Sequence, residues 1–334
     1  MLKLFRFFWF SISITVVGFA AMYLYGGWAA LATTVLLTLL EVTLSFDNAV
    51  VNAKVLKKMS PQWQRRFLTW GILIAVFGTR FVLPIIIVSV VVWSSPWAIT
   101  QMALFDPVHY GELLHEAGYA IHSFGAAFLM MVALKYFLDA EKDVHWIQVL
   151  EEHLTLWGRI EAIEIVIALI AITGMSFLVP AEAAATVLIG GVTGVILFIV
   201  MQGITSAFSV EAKEVGTQSL ALFMYLEVLD AAFSLDGVIG AFALTSAIPI
   251  IAVGLGIGAF FVRSLTVYMV KERTLDTLRY LEHGAHWAIF GLAASMFVSL
   301  ITEVPEFVTG TIGIIFVLAA YWSSVRFQPE KGAL

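Results

Sequence analysis

The sequence contains no cysteine, and only 13% of its 334 residues are charged. The absence of cysteine excludes disulfides, thiolate metal sites and dithiol electron transport, so oxygen atoms and a few imidazoles remain as possible metal ligands. The scarcity of charge accompanies 61% hydrophobic residues and a mean hydropathy of +0.96. Several apolar runs exceed the ~20 residues that cross a bilayer. We therefore expect an integral membrane protein.

Two groups of catalytic motifs are also missing. The sequence has no Walker motif and no soluble nucleotide-binding segment, so ATP-driven transport by this chain alone is unsupported. It shows no evident nucleophile–base set, and its polar residues fall in segments that should lie in lipid. We do not expect an enzyme.

The apolar segments predict an all-α polytopic membrane protein with about ten transmembrane helices. The first five predicted spans are Phe7–Tyr25, Trp28–Ala53, Phe67–Trp93, Gly118–Leu138 and Ile160–Val179. The second five are Ala181–Gly203, Leu220–Thr245, Ala247–Val270, Ala285–Ile301 and Phe307–Val325. Residues 1–180 form the first predicted transmembrane repeat and residues 181–334 the second.

Basic residues predict the orientation of these spans. The connection after the second span carries a dense basic cluster, namely Lys54, Lys57, Lys58, Arg65 and Arg66. A later connection carries Lys271, Arg273 and Arg279. Such clusters belong on the cytoplasmic side. We expect a multi-pass protein of the cell (inner or plasma) membrane with both termini cytoplasmic.

Two acidic motifs lie inside predicted spans and resemble each other. The first is Glu41-Val-Thr-Leu-Ser45-Phe-Asp47-Asn48, and the second is Asp230-Ala-Ala-Phe-Ser234-Leu-Asp236-Gly237, with Glu227 one turn earlier. A carboxylate within a membrane span costs roughly 2.5–3.5 kcal/mol on insertion scales, and such residues usually face a polar interior or a pathway. The repetition indicates a duplicated site for a small charged species, with a cation as the first candidate.

Other landmarks recur in the same order in both halves. Arg80 matches Arg263, the segment that begins at His115 matches the one that begins at His283, and Glu161-x-x-Glu164 matches Glu303-x-x-Glu306. In the predicted topology the two acidic motifs run in opposite directions. These features predict a five-plus-five inverted repeat, which places substrate near the membrane midplane between the halves.

The candidate metal ligands are the acids and the amide of the two motifs: Glu41, Asp47, Asn48, Glu227, Asp230 and Asp236. The candidate supporting residues are Ser45, Ser234, Arg80, Arg263 and His122. At ~100° per residue, one stripe of the second span contains Glu41, Ser45, Asn48 and Asn52, and one stripe of the seventh contains Glu227, Asp230, Ser234 and Gly237. Asp47 and Asp236 lie roughly 120° off these stripes if the helices stay regular. Those two acids therefore meet a different neighbour, or the Ser-x-Asp segments are locally unwound.

The supporting residues also have structural interpretations. Serines in membrane helices often bond only the backbone or a neighbouring helix. Each arginine could form an ion pair with an acid of the adjacent motif helix, and His122 could be a hydrogen-bonded packing residue rather than a metal ligand or proton carrier.

The two motifs resemble the signature motifs of the TerC family of integral membrane proteins, although Gly237 stands where many relatives carry serine. The resemblance extends to the arginine-bearing spans that follow each motif. It implies membership of a broader group of cation and amino-acid exporters, several of which are implicated in manganese export. The family name comes from tellurium resistance.

Together these features favour a transporter that exports a divalent metal cation, manganese first, with Ca²⁺ and Mg²⁺ as alternatives. Coupling to a proton or to the membrane potential is the default. A membrane scaffold or assembly factor, and an ion channel, stay open as alternatives. The expected partners are the lipid bilayer and the metal substrate, with no permanently bound cofactor and no nucleic acid; a homo-oligomer stays open.

Overall fold

The computed structural model describes residues 2–211 and 215–327, and within them the chain is helical without β-strands. The helices up to the middle of the chain are α1 (Leu2–Leu44), α2 (Phe46–Leu56), α3 (Pro61–Leu73), a π-helical segment (Ile74–Val82), α4 (Leu83–Val91), α5 (Pro96–Phe105), α6 (Pro107–Glu116), α7 (Gly118–Phe137), α8 (Gln148–Trp157) and α9 (Ile163–Leu178). The remainder are α10 (Ala181–Glu211), α11 (Val215–Leu244), α12 (Ile248–Lys271), α13 (Thr274–Thr277), α14 (Leu281–Ser299) and α15 (Glu306–Arg326).

Within the described residues, six helical segments are long and apolar enough to cross a membrane. They are Phe7–Leu44, Ile74–Val91, Gly118–Phe137, Ala181–Ala207, Ile248–Lys271 and Phe307–Arg326. Large apolar side chains lie exposed on their surfaces, for example Leu24 at 84% and Val90 at 67%. Exposed apolar surface on this scale suits a lipid environment. The chain is an all-α membrane protein.

Two glycines divide α1 into antiparallel arms. Gly27 has φ of +64°, a left-handed conformation that glycine adopts without strain, and Gly26 is also non-helical. On the first arm, Ser11 donates to the Phe260 carbonyl and Gly18 contacts Val253. This arm therefore runs antiparallel to α12.

The second arm of α1 runs parallel to α12. The Thr38 hydroxyl donates to the Gly254 carbonyl, and Glu41 lies against Gly258 one turn later. The arms therefore run in opposite directions, and the predicted boundary between Tyr25 and Trp28 falls at the observed turn.

The two segments that carry the first acidic motif and Arg80 are not regular helices. Helix α1 ends before Ser45, which has φ of −105° and ψ of 13°, and α2 begins after it. Arg80 belongs to the π-helical segment, a form that occurs frequently at functional sites. By contrast, α11 is an uninterrupted helix through Ser234. A local break therefore affects the first motif and not the second.

The two motif segments lie side by side and run antiparallel. Glu41 lies near Gly237, the Asn48 amide donates to Asp230, and the Ser60 backbone N–H donates to the Ser219 hydroxyl. As residue numbers rise along the first segment, they fall along α11.

Helix α7 occupies the interior, between α10 and α14. At Gly190 and Gly194 of α10, an added Cβ would collide with atoms of α7, so these glycines permit close backbone approach. On the other side, Gly125 of α7 faces Met296 of α14. The predicted boundary between the repeats falls in the short connection between α9 and α10.

Basic residues gather at one end of the helix bundle. Lys57 pairs with Asp276 and Lys54 with Glu282, which joins the end of α2 to α13 and to the first turn of α14. The Lys142 ammonium lies 4.2 Å from the centre of the Tyr136 ring, near the end of α7. We refer to this end as the basic end.

Candidate functional site

Glu41 is held by an arginine and a serine in the interior of the bundle. Arg80 donates to Glu41 Oε1, and the Ser45 hydroxyl donates to the same oxygen at 2.9 Å. Glu41 and Arg80 are 2% and 5% exposed, so the ion pair is shielded from solvent. The prediction that Arg80 pairs with an acid of the neighbouring motif is confirmed. Removing either partner would leave the other as an uncompensated buried charge.

A hydrogen bond joins the two acidic motifs directly. The Asn48 side-chain amide on α2 donates to Asp230 Oδ1 on α11. Asp47 precedes Asn48 in the first turn of α2, and its carboxylate accepts the Asn48 backbone N–H at 2.9 Å. A carboxylate in that position also interacts favourably with the helix dipole. Two of the predicted ligands, Asn48 and Asp230, are thus in contact across the halves.

Arg263 and Glu227 are neighbours beside a glycine of α3. An added Cβ at Gly71 would lie 2.5 Å from Glu227 Oε1 and 2.7 Å from Arg263 Nη2. Neither Glu227 oxygen nor Arg263 Nη2 has a hydrogen-bond partner among the described residues. The guanidinium carbon of Arg263 instead lies 3.7 Å from the centre of the Phe67 ring, a cation–π contact. This pair is therefore open, whereas Glu41 and Arg80 are joined.

A small cavity lies between these groups. Its volume is about 20 Å³, which exceeds the ~10–15 Å³ needed for one water molecule. Polar residues make up most of its lining: Glu41, Ser45, Asn52, Arg80, Asp230, Arg263 and Thr266. The cavity can accommodate a single water molecule or a small ion between α2, α11, α12 and the π-helical segment.

Several buried oxygen atoms of the two motif segments have no hydrogen-bond partner among the described residues, and of these Asn52 Oδ1 belongs to the cavity lining. They are Asn48 Oδ1, Asn52 Oδ1, both carboxylate oxygens of Glu227, and Ser234 Oγ. A buried polar atom without a partner is unfavourable. In a native structure it usually indicates local strain, a bound water molecule or a bound ion. These oxygens form a set that a hard or borderline cation could use.

Asp236 has a different neighbour from the other motif acids. Its carboxylate lies 3.4 Å from His122 Nε2 on α7. This location agrees with the helical geometry, which places Asp236 away from the face that carries Asp230. The structure thus brings Glu41, Asn48, Asp230, Ser45, Arg80 and Arg263 to one region, with Glu227 beside Arg263, and it places Asp236 and His122 as a pair on α11 and α7.

Among the residues whose side chains are described, no three His, Asp or Glu side chains converge as a metal-binding group. The reason is visible in the contacts. Arg80 engages Glu41, Asn48 engages Asp230, and His122 lies beside Asp236. The carboxylates therefore do not converge on one point. Instead, carboxylate, amide, hydroxyl and guanidinium groups together line the cavity.

Two polar residues of the cavity lining, Asn52 and Thr266, were among neither the candidate ligands nor the candidate supporting residues. Asn52 lies on the same helical stripe as Glu41, and that stripe was the available signal for it. Thr266 of α12 donates to the Val262 carbonyl at 3.0 Å and is 1% exposed. It lies outside both motifs, and no feature of the local sequence distinguishes it from other membrane threonines.

The fold and this buried polar centre define a class: an all-α membrane protein with a charged, oxygen-rich site in its interior. The chain belongs to the family described as "Protein of unknown function (DUF475)", which matches residues 46–330. The match begins inside the first motif, so it includes Asp47 and Asn48 but neither Glu41 nor Ser45. No curated protein and no solved structure matches the chain.

Proposed function

We propose that this protein is an integral membrane transporter that exports a divalent metal cation, manganese first, through the site between the two motif segments. The observation that carries the proposal is the set of buried oxygen atoms without partners in the two motif segments, which border a polar cavity of about 20 Å³. Placing such groups inside apolar helices is costly, and intramembrane ionisable residues mark ion pathways as a rule.

The donor atoms support a hard or borderline cation. Carboxylate, amide and hydroxyl oxygens are the ligands that Mn²⁺, Ca²⁺ and Mg²⁺ prefer, and the chain has no thiolate for softer metals. Glu227 and Asp230, with Asn48 and Asn52, are the first candidates for direct contact. Asp47 and Asp236 are proposed as further ligands, and Ser45 and Ser234 as hydroxyl donors or positioning groups.

The formal charge of the centre also fits a divalent ion. Four carboxylates (Glu41, Asp47, Glu227 and Asp230) and two guanidinium groups (Arg80 and Arg263) give a formal net charge of −2 when all are ionised. One divalent cation would neutralise it. Asp236 and His122 form a separate pair that is not counted here.

An inverted repeat of five plus five spans is the architecture that we propose for this transporter. The antiparallel motif segments support it, as do two glycine contacts between the halves. Gly258, in the helix of Arg263, lies against Glu41 of the other half. Gly71, which precedes Arg80, lies against Glu227 of the other half. Repeats of this kind place the substrate at their interface.

The resemblance of the motifs to the TerC family supports metal export, and a proton or the membrane potential would supply the driving force. A scaffold role is the alternative that one observation favours. The Glu41–Arg80 and Asn48–Asp230 contacts join helices, which a purely structural protein would also need. Flux measurements separate these functions, because a scaffold carries no ion.

The test uses purified protein in proteoliposomes with a fluorescent indicator for Mn²⁺. We expect saturable Mn²⁺ flux that Glu227→Gln reduces at least about tenfold, because the swap keeps the shape of the side chain but removes a carboxylate with free oxygens. Asp47→Asn and Asp236→Asn should cause the same loss without preventing insertion. Glu272→Gln, a matched change at an exposed residue, is the control.

The absence of Mn²⁺ flux in the wild type would favour the scaffold. Wild-type flux in all three motif variants would make these carboxylates structural and reject the site between the two motif segments. Flux that does not saturate with Mn²⁺ concentration would favour a channel. Parallel measurements with Ca²⁺ and Mg²⁺ identify the preferred ion.

A further inference from the structure

The connection between α7 and α9 folds back on itself and closes over the end of α7. We call residues 139–159, which include α8, the strap. Its last turn returns to its starting point, because an added Cβ at Gly158 would overlap the Leu138 carbonyl group. Glycine is therefore required for this close backbone approach. At the other end of the strap, Lys142 lies over the Tyr136 ring of α7.

A single buried carboxylate fastens the middle of the strap. Glu151 is 0% exposed. Its Oε2 accepts from Lys142 Nζ at 2.9 Å and from the Trp146 backbone N–H at 3.1 Å, both within the strap. The same oxygen lies 2.8 Å from His283 Nδ1 on α14, and Oε1 accepts from Trp287 Nε1 at 3.0 Å. Glu151 thus connects the strap to α14 through two side chains.

The interactions at Glu151 favour its charged form. Burial by itself would raise the pKa of this carboxyl group, but the hydrogen bonds from His283, Lys142 and Trp287 outweigh burial and hold the pKa well below its usual range. Hydrogen bonds to an ionised carboxylate are stronger than those between neutral groups. The contact between the strap and α14 is therefore a specific, charge-assisted fastening.

The strap meets the helices that carry the cavity at the basic end. Asn52 of α2 lines the cavity, and Lys54, two residues later, pairs with Glu282 of α14. The Lys54 ammonium also lies 5.2 Å from the centre of the Tyr136 ring, on which Lys142 of the strap is placed. The strap, α2, α7 and α14 thus converge just beyond the cavity.

We propose that the strap is a latch that closes the basic end of the cation pathway, and that Glu151 is the group that fastens it to α14. This inference rests on the proposed function, since it assigns the closure of the same cavity. It gives the strap a role other than joining two helices. Release of Glu151 from His283 and Trp287 would free the strap while α7 and α14 remain packed against each other.

The absence of cysteine allows a direct test. Thr266→Cys places one thiol at a nearly isosteric, buried position in the cavity lining. Proteoliposomes containing this reporter are treated with a charged, membrane-impermeant methanethiosulfonate. We expect Glu151→Gln to accelerate labelling of the reporter at least about tenfold, because an unfastened strap opens locally more often. Glu152→Gln is the matched control, since Glu152 is the exposed neighbour of Glu151.

A second variant changes Gly158, in the last turn of the strap. Gly158→Ala introduces a Cβ that the Leu138 carbonyl does not allow, so it should also accelerate labelling without any change of charge. If either variant fails to fold, the other and Lys142→Met, which removes one donor to Glu151, give the same measurement.

Equal labelling rates in all the variants and the control would overturn the latch. Separate vesicles that contain the strap variants without the Thr266→Cys reporter and without the reagent report Mn²⁺ flux, which separates the two proposals. Faster labelling without any flux would retain the latch over the cavity and reject the transporter, whereas flux with unchanged labelling would retain the transporter and reject the latch.

Discussion

The position of Glu41 depends on a glycine of a neighbouring helix. An added Cβ at Gly258 would lie 2.5 Å from both Cβ and Cγ of Glu41, far inside normal contact. Gly256, two residues earlier on α12, has its nearest neighbour, Val76 Cγ1, at an ordinary 3.7 Å. Two glycines of one helix thus differ in whether a methyl group can be accommodated.

This difference gives a matched prediction. Gly258→Ala should destabilise the protein by about 1–3 kcal/mol, because an added methyl group overpacks the contact between α1 and α12. Gly256→Ala should leave stability unchanged or raise it by up to about 1 kcal/mol, because alanine has the higher helix propensity and the site has room for a methyl group. Thermal unfolding in detergent micelles measures both. Equal effects of the two substitutions would show that the approach of α12 to Glu41 is not sterically limited.

Residue periodicity explained part of the site and failed at another part. The stripe through Glu41 also contains Ser45 and Asn52, and all three line the cavity. Helical geometry likewise places Asp236 away from Asp230, and Asp236 lies beside His122. Periodicity describes one helix at a time, however. It could not show that Arg80 binds Glu41 and that Asn48 binds Asp230, two of the acids that were expected to converge.

At the scale of elements, the long apolar runs were predictable and the connections were not. The turn at Gly26 and Gly27 follows from two glycines between apolar runs. The fastening at Glu151 does not, because its partners His283 and Trp287 are 132 and 136 residues away. No local pattern encodes such a contact. The break at Ser45 was one of two possibilities, and helix α11 shows that a similar motif can also remain helical.

The strap should depend on pH through Glu151. Its pKa is depressed in the folded protein, so its contribution to stability is fully present above the usual glutamate pKa of about 4.3 and declines as pH falls below that value. Lys142, whose own pKa is lowered chiefly by burial, also faces this contact. Further charged or titratable groups there include His283, Lys54, Glu282, Tyr136 and His286.

Hydrogen exchange of residues 139–159, corrected for the intrinsic effect of pH, measures this dependence. Between about pH 7 and pH 5, Glu151 should cause no change in the protection of the wild type. At lower pH, protection should fall. The Glu151→Gln variant should lack that acidic decline and show lower protection at pH 7. A parallel decline in both proteins would assign the effect to another group.

At the scale of the whole molecule, the basic residues define a common end. Lys57 pairs with Asp276, only five residues beyond Lys271, so both lysines belong to the same end of the bundle. Val108 precedes α7, whose 20 residues span about 30 Å before they reach that end. Val108 therefore lies at the opposite end, where it is 60% exposed.

Single-cysteine labelling tests this arrangement. An impermeant maleimide should react with Lys57→Cys and Lys271→Cys from one side of the membrane and with Val108→Cys from the other. The cytoplasmic side is expected for the two lysine positions. If the reagent reaches Lys57→Cys and Lys271→Cys from different sides, the antiparallel arrangement of the motif segments and the proposed repeat both fail.

The two-glycine turn in α1 has a consequence for how the protein enters the membrane during synthesis. The arms on either side of Gly26 and Gly27 have no connecting loop that could let one insert without the other. Their transfer free energies therefore add, and the favourable insertion of the apolar first arm offsets the cost of Glu41 in the second. The first acidic group of the cavity can thus be delivered to the bilayer before its partner Arg80 has been synthesised.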